Sequence, residues 1–481
     1  MKNKFNLLTS KEWLPFQKSW LKVTSDDSLY KENIRFFTKA DVKVEKILYF
    51  GQSFQLFKKI ANENNLEAEL LEKNNDKTQF ILIDLRGYIN NETKLDEYKK
   101  IKFNIIKYLN EQFINLEERR FVSVFIPNIQ KEEEYFAYAW DIAKNIAKIL
   151  SLKDEKIACD IKIPSNQNLN FFEPNQSIFY CLYFRKDEQS GNNDHNNEFD
   201  FFVRNTQITN EYAFKNKIPY WFVLKPQPRK KDEILHPAKY PENLVEIFVE
   251  EFTNENENVF DPMSGTGSTQ IGALKLKRNG YGTELSDFFS KIANGRCLEY
   301  IDPSQQLLIF EEFFEEKNQQ YKIINKDARL ISSADFPVID YMITSPPYWD
   351  MLNMKGAKNQ AKRIQKGLKT NYSDEPDDIG NIASYNDFLF TLRDIYFNIA
   401  SLMKPGSYMT IVVKNIKKNG TNYPFAWDLG NLLQEKLILL PEVFWCQDDI
   451  SIAPYGYGNT WVSNTFHQYC LNFQVPSSFN P

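Results

Sequence analysis

The sequence contains no CxxC pair, and its five cysteines, Cys159, Cys181, Cys297, Cys446 and Cys470, are scattered along the chain. Its three histidines, His195, His236 and His467, fall at no metal-ligand spacing, so no metal site is expected. The opening residues MKNKFNLLTSKEW lack the apolar stretch of a secretory leader, and no run approaches the roughly 20 apolar residues of a membrane span. A cytoplasmic location without membrane contact is the expectation. An excess of basic charge is also missing: the formal net charge is −5. Contact with a polyanion therefore has to come from local patches rather than from the whole surface.

What is present is core material. With 481 residues, 42% of them hydrophobic and 15% aromatic, the chain is long enough for two or three ordered domains. The polar stretch DEQSGNNDHNNEFD, residues 187–200, cannot bury itself and reads as a linker or long surface loop. Beyond it, helix-like and strand-like segments alternate: PENLVEIFVEEF, NVFDP, STQIGALKLKR, NGYGTE, DFFSKIANGRCLEYI, VIDYMIT, SYNDFLFTLRDIYFNIASLMKPG and SYMTIVVKNI. That alternation predicts an α/β domain with a doubly wound sheet.

Two loops in this half carry chemistry. In VFDPMSGTGSTQIGALKL, Gly265 and Gly267 lie between a strand and a helix, where glycine lets the backbone approach a ligand closely. Glu284 closes the next strand, the place from which a carboxylate reaches ribose hydroxyls in nucleotide-binding folds. Asp327 closes a further short strand and suits either an adenine amino group or a loop cap. In MITSPPYWD, consecutive prolines end an apolar strand and leave a rigid loop at its C-terminal end, which is where open α/β sheets bind ligands.

Together FDPMSGTGST and TSPPYW resemble the paired signature motifs of the DNA amino-methyltransferases, and HPAKYPENLVEIF, residues 236–248, is similar to the cofactor-binding segment that precedes the glycine loop in that family. The resemblance covers roughly residues 236–475, with Met263-Ser264 replacing the more usual Phe-x pair and with the cofactor motif ahead of the catalytic one. It implies a Rossmann-like domain with a mixed seven-stranded sheet that uses S-adenosylmethionine (SAM). The implied cofactor residues are His236, Pro237, Phe260, Asp261, Gly265, Thr266, Gly267, Thr269, Glu284 and Asp327, and the implied catalytic residues are Ser345, Pro346, Pro347 and Tyr348. The Pro346 carbonyl and the Ser345 hydroxyl would accept the two amino hydrogens of a base, freeing a lone pair that is otherwise delocalised into the ring, while Tyr348 offers a face to a base rotated out of the duplex. In the family, serine before Pro-Pro-Tyr goes mainly with cytosine N4 and Asp or Asn with adenine N6. N4-methylcytosine in DNA is therefore the expected product; the alternatives are N6-methyladenine, or a noncatalytic DNA-binding subunit on the same scaffold.

The basic run after the catalytic loop, with Lys355, Lys358, Lys362, Arg363 and Lys366, suits contact with DNA phosphates, although such runs are often only solvated surface. Residues 210–231, aromatic and basic by turns, either touch nucleic acid or pack the halves together. A restriction-modification setting with a cognate endonuclease as partner is what the resemblance implies.

The N-terminal half echoes the C-terminal one. SFQLFKKIAN (53–62) matches LSDFFSKIAN (285–294), QFILIDLRGY (79–88) matches DYMITSPPY (340–348), YFAYAWDIAKNI (135–146) matches NYPFAWDLGNLL (422–433), and IFYCLYF (178–184) matches HQYCLNF (467–473). Residues 46–186 are thus expected to be a degenerate copy of the methyltransferase fold. The expected domains are 1–200, noncatalytic; 201–235, a linker; and 236–481, catalytic. Leu85-Arg86-Gly87-Tyr88 stands in this alignment where the C-terminal half has Ser345-Pro346-Pro347-Tyr348, so the first half is expected to buttress the site or to help recognise substrate.

Overall fold

A computed structural model describes residues 6–39, 43–131, 134–160, 178–191, 206–207, 218–225, 240–302, 319–349, 378–448 and 462–479. His236, Pro237 and the basic run from Lys355 to Lys366, together with most of residues 210–231, lie outside the described residues.

The first half runs α1 (Ser10–Phe16), β1 (Trp20–Val23), α2 (Asp26–Phe37), β2 (Lys46–Phe50), α3 (Phe54–Glu63), β3 (Glu67–Leu70), β4 (Thr78–Asp84), α4 (Leu95–Gln112), β5 (Leu116–Ile126), the hairpin β6 (Ile129–Lys131) and β7 (Glu134–Phe136), α5 (Tyr138–Ala147), β8 (Ser151–Asp160) and β9 (Ile178–Arg185). Seven of these strands form one sheet in the order β1-β8-β9-β5-β4-β2-β3. All seven residues of β4, TQFILID, are buried, as a strand covered by helices on both faces requires.

The second half follows with β10 (Thr206–Gln207), β11 (Trp221–Val223), α6 (Glu242–Phe252), β12 (Asn258–Asp261), α7 (Ser268–Lys275), β13 (Asn279–Glu284), α8 (Asp287–Ile301), β14 (Tyr321–Asn325), β15 (Ile339–Thr344), α9 (Tyr385–Leu402), β16 (Met403–Val413), the hairpin β17 (Ile416–Lys418) and β18 (Thr421–Tyr423), α10 (Phe425–Leu433), β19 (Ile438–Leu439), β20 (Val443–Cys446) and β21 (His467–Gln474). Its sheet runs β11-β20-β21-β16-β15-β12-β13-β14, with β19 also on β21. That makes nine strands instead of the seven expected. Two come from short segments: β19, and the edge strand β11, which lies inside the 201–235 stretch read as a linker.

The two sheets share one plan. In both, the first two strands pair in parallel, the next two pairings are antiparallel and the remainder are parallel. Register matches residue by residue: Cys181 of β9 lies opposite Lys156 and Phe125, and Cys470 of β21 opposite Val443 and Val412. Three of the sequence echoes therefore occupy equivalent places, β4 with β15, α5 with α10 and β9 with β21. The remaining echo is displaced. Because β2 takes the sheet position of β12, the helix after it, α3, corresponds to α7 and not to α8; the first half lacks one helix–strand unit. A Phe–Lys–Ile–Ala–Asn pattern is a general solution for laying an apolar stripe on a sheet, so it recurs at non-equivalent positions.

One apolar core crosses from half to half through Trp140, Tyr180, Trp427, Phe444 and Tyr469, all fully buried. Among the described residues no helix is long and apolar enough to cross a membrane, and no cluster of metal-ligand type occurs.

Candidate active site

The cofactor loop leaves β12 at Asp261 and enters α7 at Ser268. Gly265 and Gly267 adopt left-handed conformations, φ 53° and 79°. A Cβ on Gly267 would approach the Cβ of Ala293 in α8 to 3.0 Å, so glycine also lets the neighbouring helix back the loop. At the end of β13, the Glu284 carboxylate accepts from the backbone N–H of Gly265 (2.8 Å) and of Ser286 (2.9 Å). Burial pushes its pKa up to about 7, against the lowering effect of those two donors.

Asp261 does something other than face a ligand. Its carboxylate is fully buried and accepts from Tyr240 Oη (2.7 Å), Thr269 Oγ1 (2.6 Å), Thr344 Oγ1 (2.6 Å) and Met263 N (2.9 Å). Burial raises its pKa and the four donors oppose the shift. The node fastens the end of β12, the start of α7 and the last residue of β15 to one another. Thr344 is the residue before Ser345, so the cofactor loop and the catalytic loop are held as one piece. Of the residues expected to hold cofactor, Phe260, Asp261 and Thr269 are enclosed in this way, whereas Gly265, Thr266, Gly267 and Glu284 form the loop and strand end around the recess. Asp327 caps a short 3-10 helix by accepting from Arg329 N, and both its oxygens pair with the Arg329 guanidinium.

In the catalytic loop Ser345 is half-buried and hydrogen-bonds Tyr348, whose hydroxyl donates to Gln468 Oε1 at 3.3 Å. With the tyrosine proton given to Gln468, a serine O–H directed at the phenol oxygen would leave the serine oxygen able to accept. The Lys414 ammonium sits 4.7 Å from the Tyr348 ring centroid, and burial lowers its pKa. Trp349 anchors the loop from below: it is buried, donates to Ile382 O (2.8 Å) and packs on Tyr385 and Tyr423. Sequence reasoning missed Tyr240, Lys414 and Gln468 as parts of this site. Tyr240 stands within the quoted cofactor segment, but Lys414 and Gln468 belong to strand ends distant in the chain and carry no local motif.

In the first half the equivalent recess is closed. Register places Tyr49 where Asp261 stands and Asp84 where Ser345 stands, so Asp84, not Leu85, is the counterpart of the serine. Tyr49 Oη contacts Tyr30 Oη (3.0 Å) and accepts from Ser53 N (3.1 Å); Tyr30 donates to Asp84 Oδ2 (2.6 Å). Arg86 clamps Asp84 with Nε and Nη2 at 2.9 and 2.5 Å. Gln52 then bridges the two loops by donating to Gly87 O at 2.8 Å.

The profile of the DNA methylases of the N6/N4 type matches residues 9–295, more than half of the chain. The chain belongs to the DNA methylase family. Its match spans the first half and the cofactor loop of the second but stops short of Ser345. Beyond the matched stretch, the pairing of β12 with β15 joins the glycine loop to the Ser345 loop downstream. Relatives include the orphan methyltransferase M.BamHII of Bacillus amyloliquefaciens, 42% identical over 66 residues (14% of this chain, 25% of that protein). M.BglII of Bacillus subtilis, a type II methyltransferase, is 31% identical over 102 residues (21% and 25%). M.HindIII of Haemophilus influenzae, also type II, is 32% identical over 74 residues (15% and 24%). The chain matches about a quarter of the length of each of these three. An rRNA methylase structure from Clostridium thermocellum overlays half of the chain at 11% identity with a TM-score of 0.29, too loose a likeness to bear on function.

The recess fits the nucleoside cofactor of this family on its own chemistry. A desolvated carboxylate at the end of β13 that accepts from only two backbone N–H groups retains acceptor capacity for a ribose diol.

Proposed function

We propose that this methylase transfers a methyl group from SAM to the exocyclic N4 of cytosine in DNA. The observation that carries the reading is the joint between the two loops, Thr344 to Asp261, which sets Ser345-Pro346 beside the cofactor recess in a single sheet. When bound, SAM supplies an electrophilic methyl group. Ser345 Oγ, its own proton directed at Tyr348, accepts one amino hydrogen of the base, and the Pro346 carbonyl, held by a residue that cannot donate, accepts the other. Both hydrogens taken from fixed directions, the nitrogen lone pair is released from the ring toward the cofactor side. Rigid positioning provides most of the rate, with no covalent enzyme intermediate.

Serine at position 345 supports cytosine N4 over adenine N6. The relatives named as type II methyltransferases support a DNA substrate and a restriction-modification setting with a cognate endonuclease. His236 and Pro237 on the cofactor side, and Lys355, Lys358, Lys362, Arg363 and Lys366 on the DNA side, complete the proposed binding residues. The first half is proposed to be a noncatalytic copy of the fold, since Tyr49, Asp84 and Arg86 occupy its recess.

The test is to incubate the protein with methyl-labelled SAM and unmethylated DNA and to identify the labelled nucleoside after digestion. N4-methylcytosine is expected. N6-methyladenine would keep the mechanism and overturn the base assignment, and SAM binding without labelled DNA would overturn the substrate.

A further inference from the structure

Across the boundary between the halves, each half lends the other a buried glutamate. Glu155 of β8 and Glu442, just ahead of β20, are equivalent, each preceding the residue that pairs with Cys181 or Cys470. Glu442 accepts from Asn128 Nδ2 (2.8 Å) and Tyr180 Oη (2.5 Å) of the first half. Glu155 accepts from Asn415 Nδ2 (2.7 Å) and Tyr469 Oη (2.6 Å) of the second. Asn128 and Asn415 each receive a backbone N–H from the helix that follows, Ala139 and Ala426. Trp140 and Trp427 donate to the two tyrosines at 2.9 Å each. Residue i meeting j while j meets i is the pattern of an isologous two-fold interface, here within one chain.

The reciprocity does not extend to the residues next to these. Lys414, beside Asn415, stands over Tyr348, and Gln468, beside Tyr469, accepts the Tyr348 hydroxyl. The corresponding residues of the first half are Pro127 and Phe179. His467 reaches the first half with both ring nitrogens, Nδ1 at 2.8 Å from Ser19 Oγ and Nε2 at 3.5 Å from Glu155, where the twin position is Ile178. The twin glutamates, asparagines, tyrosines and tryptophans make the reciprocal contacts, whereas Lys414 and Gln468, present in one half only, reach Tyr348.

We infer that Glu155, from the noncatalytic half, is a positioning residue for methyl transfer: it fixes Asn415 and Tyr469, and through their neighbours Lys414 and Gln468 it sets the ring and the hydroxyl direction of Tyr348, hence the acceptor geometry of Ser345. The inference rests on the methyltransferase reading above. Glu442 is equally buried and makes the twin contacts, with the Tyr135 hydroxyl as a further donor, but none of its partners neighbours the catalytic loop, so it is an internal control for loss of the interface.

The experiment compares the full-length E155Q and E442Q proteins in the labelled-SAM assay, measuring kcat and the SAM dissociation constant separately. Displacement of a positioned group by a fraction of an ångström is expected to lower kcat for E155Q by about tenfold or more, with SAM affinity unchanged, while E442Q stays within about twofold of wild type. An equal kcat for the two variants, whether both fall or neither does, overturns the inference. Should E155Q fail to fold, Tyr469→Phe against Tyr180→Phe poses the same question by removing one hydroxyl from each twin. Absence of turnover by the wild type sinks the functional reading instead. Hydrogen exchange at Ser345, Tyr348 and Trp349 then tests the coupling without substrate: faster exchange in E155Q than in E442Q supports it, and equal exchange overturns it.

Discussion

The two recesses use the same three strand ends for opposite purposes. In the second half an aspartate, Asp261, gathers hydroxyls from Tyr240, Thr269 and Thr344 and so ties the glycine loop to the Ser345 loop from within the sheet. In the first half a tyrosine, Tyr49, takes the aspartate's place; a Cβ on Gly51 would lie 2.4 Å from its hydroxyl, so the ring fills what would be cofactor space. The aspartate has in effect moved to the end of the adjacent strand as Asp84, where Arg86 neutralises it. An aromatic ring in place of the small polar hub, with the Asp84–Arg86 pair and the Gln52 bridge beside it, turns the first recess into core while the fold outside it persists.

The strongest way to break this comparison is to strike both strand ends. Ser345→Ala removes one of two acceptors aimed at the amino group, and kcat should drop by about 10²-fold with SAM binding intact. Asp84→Ala should leave the kcat of folded protein unchanged but destabilise it by about 3–5 kcal/mol, because Arg86 keeps a mostly buried charge without its main partner. Steady-state kinetics together with urea unfolding of the two variants decides. An activity loss in Asp84→Ala at full stability would mean that the first recess takes part in the chemistry.

Much of the second recess was legible because its signals are local: a glycine loop, an acidic strand end and a proline-stiffened turn each declare themselves within ten residues or so. The repeat was legible for the opposite reason. Trp140 and Trp427, Asp141 and Asp428, and Cys181 and Cys470 belong to packed structure shared by both halves, so they recur in the same order. Aligning Tyr88 with Tyr348 misplaced the serine's counterpart by one residue, since only strand register identifies Asp84. Neither the glutamate exchange nor the closure by Tyr49 had a local trace: Glu155 and Tyr469 are 314 positions apart, and Tyr49 reads in sequence as an ordinary strand tyrosine.

A second prediction concerns the twin glutamates and pH. Burial pushes the Glu442 carboxyl from its ordinary 4.5 up to about 7. A proton held more tightly when folded stabilises the protein below pH 4.5, and that contribution fades as pH rises through about 7. Stability should therefore decline between those limits by at most about 3 kcal/mol on account of this group, and the E442Q protein should lose that part of the slope. Urea midpoints measured at half-unit pH steps would show it; identical slopes in wild type and E442Q would remove Glu442 as the cause.

The smallest effect separates the recesses by what they bind. Glu284 has the same direction of shift as Glu442, its carboxyl raised from 4.5 to about 7, but its two oxygens accept only from backbone N–H groups, one each, and so keep acceptor capacity. On the proposed reading ribose hydroxyls would donate to that carboxylate, and a protonated carboxyl has fewer lone pairs to offer. SAM binding should then require the ionised form, releasing a proton below pH 7 and weakening by about tenfold per pH unit lowered, with no change above it. In the first half, Tyr49→Phe removes a hydroxyl from the closed recess and should leave both the affinity and its pH dependence untouched. Calorimetric titration of SAM across pH 5.5 to 8.5, in buffers of different ionisation enthalpy, measures affinity and proton release together. A flat profile with no proton release would mean that Glu284 binds ribose while still protonated, donating rather than only accepting, and that its burial serves to hold the proton instead of awaiting its loss.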